Sequence, residues 1–500
     1  MERIVRRVPA SRFARLLGDW RGGGGPLARQ LAAAVERAIL DGRLPLGAGL
    51  PAERLLAEEL GLARGTVASC YRVLRDEELI VTRTGSGSVT SLPPRLRERL
   101  APWASDRGRA GQGGAALDLT IAEPAAPFEE LLQAAHAAAD ALPAALLYER
   151  AGHAGTADDT HATHDAPAGD GPSALHAAIA DAYSAQNLAT GSRHILLTSG
   201  ADAALSLLGA AYLRPSSRVV VESPTYPGAL ATFRAAGATL VAHPVSPAGW
   251  DVPALDRTLR AARPSLTYLI PDFHNPTGLL MGEEERRDLR ERLRAHDGPV
   301  VVDETMRDLD LREDAVPPSR LATRAGDRNV VHVGSFSKSL WPGLRLGWIR
   351  AHPDVVDRLA ALPLAAALAP SPFDRLIAAR LLPHRQTILE RRRAQLRAQR
   401  DHLSRRLAEL PWCRFHVPQA GLCLWLELLD TDSSRLADLA ATHRLTVTPG
   451  HHFSPDGALD RYLRLPFTLP PDALDTAVDR LDEAHRHLRP EPGRSQRRGD

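Results

Sequence analysis

Apolar positions recur at helical spacing from Leu27 through Leu31, Val35 and Ile39, and the run stops at Gly42. After the turn GRLPLGAGLP, a short helix is predicted over Ala52 to Leu60, ended by Gly61. A third helix begins near Arg64 and brings Val67, Cys70, Tyr71 and Leu74 onto one face. The runs LIVTR and GSGSVT then read as two strands around a Gly-Ser turn. Three helices and a small hairpin predict a winged helix-turn-helix over residues 27–92. Residues 1–26, Arg-rich and closing on Gly22 to Gly25 and Pro26, read as a flexible lead. Residues 93–115, with Pro93, Pro94 and DRGRAGQGG, read as a linker, and residues 489–500 as a disordered tail.

Between residues 116 and 488 the pattern changes to short β-branched runs alternating with Ala/Leu/Arg-rich helical stretches. The runs are HILL (194–197), RVVV (218–221), TLVA (239–242), LTYLI (266–270), PVVV (299–302), NVVHV (329–333) and LGWI (346–349). Apolar strands with helical crossovers predict an α/β domain on a mainly parallel sheet. From about Pro370 a long Arg-rich helix through Arg400, then WLEL and RYLRLPF, predict a smaller C-terminal α+β subdomain.

Composition narrows the class. Apolar residues make up 44% and charged residues 24%, which excludes a disordered, collagenous or disulfide-dense chain. Three cysteines (Cys70, Cys413, Cys423) without metal-like spacing indicate free thiols, with Cys413 and Cys423 in the core and the chain in the reducing cytoplasm. The start MERIVRRVPASRF lacks the apolar core of a signal peptide, and no stretch reaches membrane-spanning length, so no membrane partner is expected. The net charge of +2 is uneven: residues 1–100 hold 17 Arg against 11 Asp and Glu, a basic head suited to a polyanion. The chain also carries 61 Arg and a single Lys, Lys338. A guanidinium stays protonated, whereas a desolvated amine can deprotonate and condense with a carbonyl.

Candidate chemistry falls into two groups. In the head, the helix opening Ala63-Arg64-Gly65-Thr66 offers free N–H groups, an Arg able to fork onto guanine and a hydroxyl. Arg54 is placed for a DNA phosphate, and Gly85 at the wing tip for close approach to the duplex. In the α/β domain, ligands bind beyond the carboxyl ends of strands. Those loops contain Thr198-Ser199-Gly200-Ala201, ESPTYPG with Tyr226, Asp272 to Gly278 with Asn275, Asp303-Glu304, and Gly334-Ser335-Phe336-Ser337-Lys338 followed by Arg345. An amine, a carboxylate for a pyridine nitrogen, a flat ring and a phosphate cup are what pyridoxal phosphate requires. The insertion from Tyr148 to Pro167 holds His153, His161 and His164 with Asp158, Asp159 and Asp165; without a helix or strand to fix them, it reads as a solvated loop and no metal is expected.

Over residues 50–89 the chain resembles the winged helix of the GntR family, in LP-x-ER, LA-x-x-LG, R-x-TV and the G-x-G wing. That resemblance implies contacts to an operator duplex by Arg54, Arg64, Thr66 and Gly85. Ala63 stands where the family often has Ser or Thr. The motifs HNPTG, VVDE, SFSK-S and PGLRLG resemble the fold-type I, class I aminotransferases over about Ala116 to Leu488. By that resemblance Lys338 is the catalytic amine that attaches the cofactor, Asp303 pairs with the pyridine nitrogen, Asn275 binds the phenolic oxygen and Tyr226 stacks on the ring. Ser199, Gly200, Ala201, Ser335, Ser337 and Arg345 surround the phosphate, and Arg464 grips an α-carboxylate. Where the family has a tyrosine for the phenolic oxygen, Thr305 and Met306 stand, so Thr305 either makes that contact or it is absent.

The fusion is similar to the MocR subfamily of GntR regulators, and DETMRDL to its YczR-like subgroup. The resemblance implies a homodimeric transcriptional regulator with pyridoxal phosphate, alone or with an amino acid or amine, as effector. The alternative is a working aminotransferase with an accessory DNA-binding domain. The altered phenolic-oxygen contact favours ligand sensing.

Overall fold

The computed structural model describes residues 8–22, 25–40, 43–44, 47–83, 87–91, 116–149, 172–313, 316–322 and 327–488. In the head, helices Leu27–Leu40, Glu53–Leu60 and Arg64–Asp76 pack around Leu31, Val35, Ile39, Leu56, Val67 and Leu74. Strand β1 (Ile80–Arg83) pairs antiparallel with β2 (Gly87–Thr90). Gly61, at φ 61°, closes the helix Glu53–Leu60 by returning its N–H to the carbonyls of Ala57 and Glu58, and the next helix starts three residues later.

The reading of residues 1–26 as a flexible lead is corrected over residues 10–20. Ala10–Leu17 is a helix, and Phe13, Leu17 and Trp20 are buried in the same core. Phe13 and Leu17 stand four apart and so share a face, leaving Arg12 and Arg15 outward. Arg21 donates to the Leu60 carbonyl at 2.6 Å and ties the end of this segment to the helix-turn-helix.

After β3 (Leu117–Asp118) comes the large sheet: β4 (Ile195–Thr198), β5 (Arg218–Ser223), β6 (Thr239–Pro244), β7 (Leu266–Leu269), β8 (Val300–Asp303), β9 (Val330–Ser335) and β10 (Gly347–Arg350). Each lies within two residues of an apolar run read from the sequence. The order is β4-β10-β9-β8-β7-β5-β6, with β10 antiparallel to both its neighbours and the other pairings parallel. The central strands are buried on both faces because alternate residues feed two cores. Val220, Leu269, Val300 and Val302 enter one, and Val219, Val221, Tyr268 and Val301 enter the other.

The remaining strands build the smaller subdomain: β11 (Cys413–Phe415), β12 (Cys423–Leu428), β13 (Leu445–Thr446), β14 (Thr448–Pro449) and β15 (Tyr462–Pro466). Four of them form an antiparallel sheet in the order β11-β12-β15-β14, and β13 pairs parallel with β3. The chain entering at residue 117 is thereby pinned to the small subdomain. The single long helix expected through Arg400 is two helices, Pro372–Leu381 and Arg385–Ala408, joined by a 3₁₀ turn over Leu382–His384. Pro383 lacks the N–H that would continue the ladder.

Candidate functional site

The loops after β4, β5, β7, β8 and β9 leave the same edge of the sheet, and the predicted cofactor residues sit on them. Lys338 follows β9. Its Nζ donates to the Ala122 carbonyl at 3.0 Å. Burial pushes its pKa down, partly offset by the charge of Glu123, which favours the neutral nucleophile.

Asp303, at the end of β8, is 3% exposed. Its Oδ2 accepts from the Tyr268 hydroxyl at 2.6 Å, and its Oδ1 from the Thr305 N–H at 2.9 Å and hydroxyl at 2.7 Å. Burial still pushes its pKa up, and among the described residues no cation pairs with it. Of the two readings left open for Thr305, the geometry favours the one without a phenolic-oxygen contact: its hydroxyl donates two residues back, fixing Asp303. Tyr268 was not singled out from the sequence. A phenol inside the aliphatic run LTYLI was the signal, since a buried Tyr hydroxyl needs a partner.

Glu304 points the other way, into the core. His332 Nδ1 meets it at 2.9 Å, the Tyr183 hydroxyl donates to it at 2.9 Å, and Arg320 completes the cluster. Burial works against its charge, but Arg320 and His332 outweigh it and hold the carboxyl well below the usual range.

Asn275 makes no hydrogen bond among the described residues, and its Oδ1 is buried without a partner. Tyr226 caps the helix Pro227–Ala235, and its hydroxyl donates to Asp202 Oδ1 at 3.0 Å. The phosphate cup differs in detail from expectation. The Ser199 N–H already donates to Leu368 at 2.7 Å and the Gly200 N–H to Thr198 at 2.8 Å, so those two amides do not face a ligand. What is left is the first turn of the helix Ala201–Tyr212, whose leading amides have no intrahelical acceptor. Gly200 caps it at φ 99° with open space where a side chain would stand. Ser335 donates to Ser337 at 2.9 Å, and Arg345 is exposed with no partner among the described residues. Beneath the cup, a Cβ on Gly347 would lie 2.7 Å from the Gly200 backbone, so only glycine lets β10 pass so close.

Arg464 on β15 is buried. It donates to the Thr120 carbonyl, lies 5.1 Å over the Phe453 ring, and leaves Nε without a partner. Cys423, directly across from Pro466 on β12, is buried and its thiol contacts the Pro276 carbonyl at 3.6 Å, beside Asn275. Burial raises this thiol to about 11.

These residues fit pyridoxal phosphate. An unpaired buried amide, a buried carboxylate without a cation, a desolvated amine and an open helix N-terminus are the polar groups that such a ligand would satisfy. Among the described residues no group of His, Cys, Asp or Glu is arranged for a metal, and the insertion beyond Glu149 lies outside them.

On the head, Arg54 and Arg64 are exposed and Thr66 is half-buried; Gly85 lies outside the described residues. Ala63 caps its helix without a side-chain bond. Arg64, 74% exposed, sits 3.6 Å from Glu53, a pairing that solvent screens and a base edge can replace. Arg64→Ala is expected to cost about 1–3 kcal/mol and relax base preference at one position, whereas Arg54→Ala weakens all duplexes alike and lowers the salt slope by about 1. Gel-shift titrations across salt concentrations distinguish the two.

Residues 122–481 match the family Aminotransferase class I and II, and residues 27–89 match Bacterial regulatory proteins, gntR family. The probable rhizopine catabolism regulatory protein MocR of Rhizobium meliloti is 30% identical over 80% of this chain and 81% of its own length. The 2-aminoadipate transaminase of Thermus thermophilus is 32% identical over 61% of this chain and 79% of its own. The structure of LysN, an alpha-aminoadipate aminotransferase from the same species, complexed with N-(5'-phosphopyridoxyl)-L-leucine, matches with a TM-score of 0.64 at 30% identity, over 75% of this chain and 92% of that one. The chain belongs to the aminotransferase class I and II family, as a MocR-type regulator in which a gntR winged helix precedes the fold of pyridoxal-phosphate-dependent transferases.

Proposed function

We propose that the chain regulates transcription by binding an operator duplex through its winged helix, with pyridoxal phosphate, alone or joined to an amino acid or amine, as effector. The observation that carries this reading is the placement of the sole lysine: desolvated, at the carboxyl end of β9, on the same edge as Asp303, Asn275 and Tyr226. When bound, the cofactor supplies an aldehyde carbon that accepts an amine and a pyridinium ring that withdraws electrons.

The chain's own groups divide the work. Lys338 presents an amine that burial biases toward its neutral form. Asp303, fixed by Tyr268 and Thr305, holds a proton at the pyridine nitrogen. Asn275 donates toward the phenolic oxygen, and Tyr226, steadied by Asp202, covers a ring face. The first turn after Gly200, the hydroxyls of Ser199, Ser335 and Ser337, and Arg345 receive the phosphate. Arg464 receives a carboxylate. Residues 27–92, 93–115 and 116–488 act in this reading as reader, linker and sensor. Two chains pair, because Ile121, Phe128 and Leu132 leave apolar surface that a second copy would cover.

Transaminase turnover is the second reading, favoured by the presence of Lys338, Asp303 and Arg464 together. The test is a titration of cofactor-loaded protein with an amino acid and with the amine lacking its carboxylate. Arg464→Ala is expected to spare cofactor uptake and to cost the amino acid about 2–5 kcal/mol, removing its advantage over the amine. An unchanged advantage removes the amino-acid part of the reading. Keto-acid product accumulating over many turnovers favours the enzyme.

A further inference from the structure

Arg392, on the helix Arg385–Ala408, is 5% exposed and pairs with no carboxylate among the described residues. Burial, with Arg391 beside it, pushes its pKa down to about 10. Its donors go to main-chain carbonyls: Nη1 to Ser339 and, at 3.2 Å, to Lys338, and Nη2 to Ala125 at 2.6 Å. A cation held from water without a counter-ion is unfavourable unless its donors are well used. Here they tie the loop that carries the lysine to the segment lying against it.

That segment is held three times. Arg464 holds the Thr120 carbonyl, the Lys338 amine holds Ala122, and Arg392 holds Ala125. It follows directly on β3, where the chain arrives from residues 93–115. A ligand that engages Lys338 and Arg464 takes away two of the three ties and leaves the one made by Arg392.

We propose that Arg392 is a positioning residue for Lys338, setting where the amine stands by fixing the Lys338 and Ser339 carbonyls to Ala125, and that residues 120–124, between β3 pinned to the small subdomain and Ala125 held by Arg392, move when ligand binds. The inference rests on the cofactor reading for its ligand. Its first test does not.

Lys338 is the only lysine, so reductive methylation of cofactor-free protein with isotopic formaldehyde gives one side-chain resonance besides that of the α-amine. Its pH titration reports the environment of the amine directly. Wild type should titrate below an ordinary lysine. Arg392→Met should titrate about one unit higher as the amine moves toward water, and Arg392→Lys, which keeps the charge but not the fork and whose added resonance is assigned by difference from the Arg392→Lys/Lys338→Arg double variant, should shift Lys338 the same way. A shift in the Met variant alone would mean a charge effect and overturn the proposal, as would no shift in either.

If neither variant folds, amide exchange in the unsubstituted chain decides. Adding pyridoxal phosphate should speed exchange in residues 120–124 and leave 385–396 and residues 117–119, paired to the small subdomain, unchanged. Equal protection of 120–124 with and without cofactor overturns the proposed movement. Failure to take up cofactor at all would count against the function proposed above and leave the titration result standing.

Discussion

Lys338→Arg is expected to abolish the yellow, borohydride-sensitive absorption of the cofactor-loaded protein. The effect should be complete, because there is no second lysine to substitute and a guanidinium neither loses its proton nor attacks a carbonyl at neutral pH. In wild type, burial favours the neutral amine, and the Ala122 carbonyl at 3.0 Å keeps it at the sheet edge. Reduction should therefore fix the cofactor mass on the one peptide containing residue 338. Any residual non-covalent binding to the arginine variant should leave a spectrum like that of free pyridoxal phosphate, with no borohydride-stable adduct. Retention of the original band in Lys338→Arg would show that another group carries the cofactor.

Much of this site was visible in the residues alone, and the reasons are specific. The seven strands were legible because buried parallel strands are continuous apolar runs, and the loops after them are where ligand groups must be. The helix at Ala10–Leu17 was hidden by its setting, since arginines and a glycine run flank the apolar spacing of Phe13 and Leu17. Whether Thr305 reaches the phenolic oxygen stayed open in the sequence because a side chain that turns back two residues leaves no periodic trace. That the amides of Ser199 and Gly200 are taken up by Leu368 and Thr198 was not legible, because tertiary packing and a tight turn set those acceptors. In the run from Arg391 to Arg393, the apolar spacing of Ile388, Leu389 and Leu396 singles out Arg392 as the inward arginine, a signal passed over because its side chain is charged.

Operator affinity should change by roughly 5–150-fold when cofactor, or cofactor joined to an amino compound, is added, the range of ordinary allosteric coupling. The physical requirement is that the ligand bind two domain arrangements unequally. A route is on hand: the backbone at Thr120 and Ala122 is held by Arg464 and Lys338, the two basic side chains a ligand would engage, and it lies just past the connection to the winged helix. Linkage then fixes the reverse effect, so operator DNA must shift cofactor affinity by the same factor. Paired titrations, duplex with and without cofactor and cofactor with and without duplex, check both halves. Equal affinities in both pairs would reduce the large domain to an enzyme or a scaffold.

Asp303 and Glu304 are chain neighbours with opposite electrostatic fates, and acid separates them. Asp303, pushed upward by burial, takes its proton early, and doing so relieves a buried charge at no loss to the fold. A neutral carboxyl no longer holds a proton on a pyridine nitrogen. Glu304, held down by Arg320 and His332, stabilises the folded chain above its unfolded value of about 4.3. That contribution is lost only as the pH falls through its depressed folded value. The two protonations are thus separated in pH, and acid is expected to weaken cofactor binding before it melts the domain, which absorbance and circular dichroism followed together across pH would check.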